Sequence, residues 1–82
     1  MKKKVLTVDD SRTIRNMLLV TLNNAGFDTV QAEDGVEGLE VLEESNPDVI
    51  VTDINMPRLD GFGFIEGVRQ NDRFRAIPIL VL

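Results

Sequence analysis

Asp48-Val49-Ile50-Val51-Thr52-Asp53 is the stretch on which the fold turns. Val49, Ile50, Val51 and Thr52 are all β-branched, hence stiff at χ1 and suited to a pleated strand. An unbroken run of this kind predicts a strand buried on both faces, as in the middle of a parallel sheet. Ser45-Asn46-Pro47 precedes it and ends whatever helix comes before, since proline disfavours helical geometry in its neighbour. Residues 54–61 follow as a loop containing Pro57 and Gly61.

The same alternation extends in both directions. Towards the N-terminus, Val36, Leu39 and Leu42 recur at helical spacing after Asp34-Gly35, and Phe27 to Ala32 reads as a strand with Phe27 and Val30 as its apolar contributors. Gly26 stands where a glycine closes a helix, and that helix carries Ile14, Leu18, Leu22 and Ala25, with Met17 beside them and Ser11 as its N-cap. Val5-Leu6-Thr7-Val8 is a first strand that stops at two aspartates. Towards the C-terminus, Phe64, Ile65 and Val68 predict a short helix and Pro78 to Leu82 a last strand. The order β-α-β-α-β-α-β predicts an α/β domain with parallel strands joined by right-handed crossovers. Ligands of such sheets bind beyond the carboxyl ends of the strands, where strand order reverses. The residues at those ends are Asp9, Asp10 and Asp53.

Any one of these aspartates alone reads as a helix cap or a turn residue. A doublet after the first strand with a third at the end of the β-branched run is a different matter. If the two strands are neighbours, three carboxylates meet at one edge of the sheet, where they repel and resist desolvation. A hard divalent cation offsets that cost, and Mg²⁺ takes oxygen ligands while keeping several waters. The chain has neither histidine nor cysteine. That favours magnesium, or manganese, over zinc or copper, and excludes disulfides, thiol chemistry and a phosphohistidine of the chain's own.

The 82 residues allow one small domain, and 43% hydrophobic with 28% charged residues is an ordinary globular composition. A net charge of −5 argues against nucleic acid as a direct partner. Lys2-Lys3-Lys4 reads as a solubilising lead into the first strand. No apolar run reaches the ~20 residues of a membrane span, and Asp9 and Asp10 interrupt the first apolar stretch too early for a signal peptide, so a cytoplasmic location is expected. The first strand follows the short lead from Met1, so no domain is expected before it.

Val8-Asp9-Asp10-Ser11, Asp53 after Val49-Ile50-Val51-Thr52, and Met56-Pro57-x-x-Asp60-Gly61 together resemble the receiver domains of two-component response regulators, above all the CheY-type chemotaxis regulators. The resemblance runs without gaps from residue 4 to residue 82. It implies a flavodoxin-like, doubly wound sheet. It also implies that Asp53 accepts a phosphoryl group, that Asp10 and Asp53 contact Mg²⁺ directly, and that Asp9 acts mainly through a metal-bound water. Asn55 would lend its backbone carbonyl to the metal, and its side chain lies where the family tunes dephosphorylation. The implied phosphodonor is a CheA-like histidine kinase, with small phosphodonors such as acetyl phosphate as substitutes, and the implied target is the flagellar motor switch. Pro57 and Gly61 are explained by backbone shape: Pro57 fixes φ, and Gly61 is expected to adopt a conformation that other residues resist.

The family's domains continue past the fourth strand through a further helix, strand and helix. These carry a switch Ser or Thr, an aromatic switch residue and a phosphate-pairing lysine. None of these lies within residues 1–82, and Lys2, Lys3 and Lys4 are at the wrong end of their strand to stand in. The chain therefore reads as a receiver domain incomplete at its C-terminus, with an uncovered strand from Ile79 to Leu82 that invites self-association. Two other readings stay open. One is a folded scaffold without phosphorylation, completed by dimerisation or a separate C-terminal piece. The other is a phosphatase of the haloacid dehalogenase type, although Asp53-Ile54-Asn55 puts an amide where that family needs an acid.

Overall fold

A computed structural model describes residues 2–82; Met1 lies outside the described residues. The β-branched run forms strand β3 (Val49–Thr52), flanked by β1 (Lys4–Val8) on one side and β4 (Ile79–Val81) on the other. β2 (Asp28–Ala32) lies outside β1, giving the order β2-β1-β3-β4 with every pairing parallel. The helices are α1 (Arg12–Asn24), α2 (Gly35–Ser45) and α3 (Gly61–Gln70). Strand order reverses about β1, since the chain runs outward from β1 to β2 and then crosses back to β3.

Local chemistry sets the ends of the helices. Ser11 caps α1 by accepting from the Ile14 N–H at 3.3 Å. Asp34 caps α2 through Glu37 N–H at 2.9 Å, and the Glu37 carboxylate reaches back to Glu33 N–H at 2.8 Å. Asp60 caps α3 through Gly63 N–H at 2.9 Å. α1 stops where Gly26, at φ +94°, takes the left-handed conformation. There Phe27 N–H donates to Leu22 O and Gly26 N–H to Asn23 O, the paired bonds of a Schellman ending. Phe27 thus belongs to this turn and not to β2, which begins one residue later than expected. α2 ends on Asn46, also left-handed, just before Pro47.

The sheet has unequal faces. Leu6, Val8 and Ile50 point towards α2 and α3 and pack with Leu42, Phe64, Val68, Phe74 and Ile77 in the main core. Burying a side chain of this size contributes about 1.5–3 kcal/mol. Thr7 and Gln31 share a register position on the opposite face, and the Gln31 amide donates to Arg15 O at 3.0 Å, which puts α1 on that side. α1 has no fully buried residue. Leu18 and Leu22 are half-buried against the sheet, whereas Ile14 and Ala25, expected on the same stripe, are exposed. Met17 and Val20 are 60% and 58% exposed. β4 continues the uneven pattern. Ile79, level with Ile50, packs on the core, while Leu80, level with Val51 on the α1 side, is 62% exposed.

Candidate functional site

β1 and β3 are hydrogen-bonded neighbours, and their carboxyl ends are tied beyond the last paired residues. Asp53 N–H donates to Val8 O at 2.9 Å, and Asp9 N–H donates to Ala32 O at 3.1 Å on the other flank. The backbone therefore delivers Asp9, Asp10 and Asp53 to one edge. Each offers a carboxylate oxygen, and these oxygens lie within 4.8 Å of one another. The structure thus brings together the three aspartates singled out in the sequence.

The three are not equivalent. Asp9 is 4% exposed, Asp53 half-buried and Asp10 exposed. Asp9 Oδ1 accepts from Ser11 N–H at 2.8 Å, and Asp53 Oδ1 accepts from Ile54 N–H at 2.7 Å. These bonds fix two of the carboxylates while leaving an oxygen of each free. Asp10 takes part in no ion pair among the described residues. No buried side-chain oxygen or nitrogen there lacks a partner, so the free oxygens of the trio open to solvent.

The Asp9 carboxyl is held above its ordinary pKa. Burial is the main cause, reinforced by the charges of Asp53 and Asp10 and opposed by the Ser11 N–H and by Arg15. Two full charges at this separation repel by about 3 kcal/mol at an effective dielectric near 20, and by less where water reaches them. The group is all-oxygen and anionic, and these properties fit a small hard dication. Asn55 is exposed beside Asp53, and its carbonyl accepts no hydrogen bond from the described residues.

The loop between β3 and α3 runs from Asp53 to Asp60, one position earlier than expected, because β3 stops at Thr52 and Gly61 is already helical. The Gly61 backbone is not left-handed, contrary to expectation; Gly26 is the glycine with positive φ among the described residues. Gly61 is required for proximity instead. A Cβ there would fall on the Asp53 carbonyl and 2.7 Å from Ile54 Cα, while Gly61 N–H donates to Ile54 O at 2.8 Å. Sequence reasoning missed Asp34 and Arg58. The Asp34 carboxylate is buried, and it receives Arg58 Nε at 2.8 Å and Nη2 at 2.9 Å. Arg58 is the loop residue at φ +64°.

Known proteins share this sequence pattern and fold. Residues 5–82 match the response regulator receiver domain. The chain is 41% identical over 81 residues to the chemotaxis protein CheY1 of Helicobacter pylori, covering 96% of this chain and 65% of that protein. It is 37% identical over 79 residues to PilG of Pseudomonas aeruginosa, with 96% and 58% covered. It is 40% identical over 82 residues to the alkaline phosphatase synthesis transcriptional regulatory protein PhoP of Bacillus subtilis, with 100% and 33% covered. Among solved structures, the chemotaxis response regulator CheY4 of Vibrio cholerae superposes with a TM-score of 0.96 at 42% identity, over 99% of this chain and 68% of that one. The chain spans about a third to two thirds of the length of these curated relatives. A β-branched strand ending in Asp53 beside the Asp9-Asp10 pair, in a parallel sheet matched this closely, makes the chain a member of the response regulator receiver domain family.

Proposed function

We propose that the chain is the acidic-site portion of a phosphoacceptor module in two-component signalling, with Asp53 as the acceptor and Asp9, Asp10, Asp53 and the Asn55 carbonyl as the cation site. The observation that carries this reading is the convergence of three carboxylates at the strand ends with free, solvent-facing oxygens. Receiver domains are signalling phosphoacceptors and not enzymes that turn over a substrate.

The Asp53 carboxylate attacks phosphorus in line with the leaving group. A carboxylate O–P bond forms, the bond from phosphorus to the donor nitrogen or oxygen breaks, and its electron pair leaves with the donor. Ile54 N–H holds Oδ1, so the carboxylate is presented in one orientation and its other oxygen is available. Mg²⁺ or Mn²⁺, when bound, neutralises the carboxylates and the equatorial phosphoryl oxygens. By the family resemblance, Asp10, exposed at the rim, and Asp53 would contact the cation directly, and buried Asp9 would act mainly through a bound water. The chain has no histidine, so the phosphoryl group comes from elsewhere: a CheA-like histidine kinase, or a small acyl phosphate. Similarity to CheY1 and CheY4 supports a chemotaxis pathway, for which the family resemblance implies the flagellar motor switch as target. The exposed apolar residues of β4 support pairing with a second copy or a separate C-terminal piece.

The test is labelling by acetyl phosphate with Mg²⁺, read by intact mass and peptide mapping. The expected result is one phosphoryl group on Asp53, absent from Asp53→Asn and absent without the cation. Undiminished labelling of Asp53→Asn would assign the acceptor elsewhere.

A further inference from the structure

We propose that the Arg58–Asp34 ion pair is a positioning clasp, which holds the β3–α3 loop against the start of α2 and thereby keeps the Asn55 carbonyl and Asp53 set for a divalent cation. This inference rests on the cation site proposed above.

The loop from Asp53 to Asp60 is fastened firmly at its root. Asp53 N–H bonds Val8 O, Gly61 N–H bonds Ile54 O at 2.8 Å, and Met56 is buried in the core. Its tip has fewer ties. Leu59 N–H bonds only back to Pro57 O, within the loop itself. Among the described residues, two polar links join the tip to the rest of the molecule, and both end at the start of α2. Gly35 N–H donates to Leu59 O at 3.1 Å, so close that a Cβ on Gly35 would lie 2.5 Å from that oxygen. The second link is the guanidinium fork of Arg58 on both oxygens of Asp34.

Arg58 makes this link from an unfavourable backbone. Its φ of +64° lies in the left-handed region, which residues bearing a Cβ avoid. Strain of that kind persists where surrounding interactions over-determine it, and here the interaction is a planar, two-point grip on a buried carboxylate. Asp34 is itself rigid, because its Oδ1 also caps α2 through Glu37 N–H.

The connections form a closed circuit around the acidic edge. Asp9 N–H bonds Ala32 O; Ala32 leads through Glu33 to Asp34; Asp34 grips Arg58; Arg58 leads back through Asn55 to Asp53; and Asp53 N–H bonds Val8 O, next to Asp9. Opening the circuit at Arg58 removes one of the ties on the loop tip, next to the segment that presents the Asn55 carbonyl, and leaves the core untouched. Residues that orient metal ligands from behind change metal affinity by roughly 10- to 100-fold when removed. The lower part of that range is expected here, since Gly35 still holds Leu59.

The test is Mg²⁺ titration of the full chain by NMR or calorimetry, with thermal unfolding of the metal-free protein measured in parallel. Arg58→Gly removes the fork and relieves the left-handed backbone. Arg58→Lys keeps the charge without the fork, and Asp34→Asn keeps the α2 cap without the charge. The expected result is a Kd raised roughly tenfold in Arg58→Gly and Asp34→Asn, a smaller rise in Arg58→Lys, and no further loss in the double variant, because both changes open one link. Metal-free unfolding of Arg58→Gly should show some loss of stability, since buried Asp34 loses its partner, so the titrations are run well below the variant's melting temperature. If Arg58→Gly fails to fold, the comparison of Arg58→Lys with Asp34→Asn decides the same point. A Kd unchanged from the parent, or additive losses in the double variant, would overturn the clasp while leaving the cation site standing. A parent chain that binds no Mg²⁺ would overturn the cation site and the clasp with it.

Discussion

The Asp53 carbonyl occupies the space that a Cβ on Gly61 would need, so the backbone of Asp53, the proposed phosphoacceptor, and the first turn of α3 fit together only with glycine at position 61. Backbone atoms cannot swing aside as a flexible side chain would. Gly61→Ala is expected to push the β3–α3 loop off the sheet edge and to destabilise the fold by about 1–3 kcal/mol, the usual cost of overpacking. Urea unfolding followed by circular dichroism measures this. Mg²⁺ binding should weaken in the same variant, because Asp53 moves with its carbonyl.

Asp34 gives the fold a sign of pH dependence. Its carboxyl is held below the ordinary range, first by the Glu37 N–H and then by Arg58. A depressed folded pKa stabilises the protein at pH values above the unfolded pKa, and that stability is lost as pH falls through the folded value. The melting temperature should therefore drop as pH falls through and below the ordinary carboxylate range, and Asp34→Asn should show a shallower drop there. A slope identical to the parent's would remove Asp34 from the explanation.

Asp9 acts in the opposite sense. Burial and two neighbouring carboxylates hold its pKa up, so its ionised form burdens the metal-free fold, and the burden sets in as pH rises through that raised value. Asp9→Asn keeps the oxygen that Ser11 N–H bonds and removes the charge. At neutral pH the metal-free variant is expected to be more stable than the parent by about 0.5–2 kcal/mol, while binding Mg²⁺ more weakly. Thermal unfolding with and without Mg²⁺ separates the two effects.

Much of this was legible in the sequence. Four β-branched residues before Asp53 mark a central strand, because few other environments bury both faces of so short a segment. The cap residue Ser11 and the closing glycine Gly26 act through their nearest neighbours, so local reading finds the helix they bound. The acidic trio was legible because the carboxyl-end rule for parallel sheets turns strand order into a location. What escaped depended on contacts between segments distant in sequence. Nothing near Arg58 or Asp34 announces that 24 positions apart they form a pair. Gly61 was noticed for the wrong reason, since its requirement lies in the approach of Asp53 and not in its own φ. The stripe on α1 was also misjudged at its ends. Helical spacing sets the direction of Ile14, but whether a neighbour covers it depends on the rest of the fold.

The open side of β4 sets expectations for association. Leu80 is 62% exposed on the α1 side, beside a strand edge with no further strand among the described residues. Concentration-dependent self-association is expected in size-exclusion chromatography with light scattering, and Leu80→Lys should reduce it. A parent that stays monomeric across the range would show that this edge is not adhesive.

The most direct test of the acidic trio as a cation site is Mg²⁺ titration of the ¹⁵N-labelled chain, with Asp10→Ala alongside. Saturable shifts are expected at residues 9–11 and 53–56, and Asp10→Ala should keep the parent's spectrum elsewhere while losing most of the affinity. Equal affinity in Asp10→Ala, or shifts confined to other parts of the surface, would contradict the assignment of Asp9, Asp10 and Asp53 as the ligands.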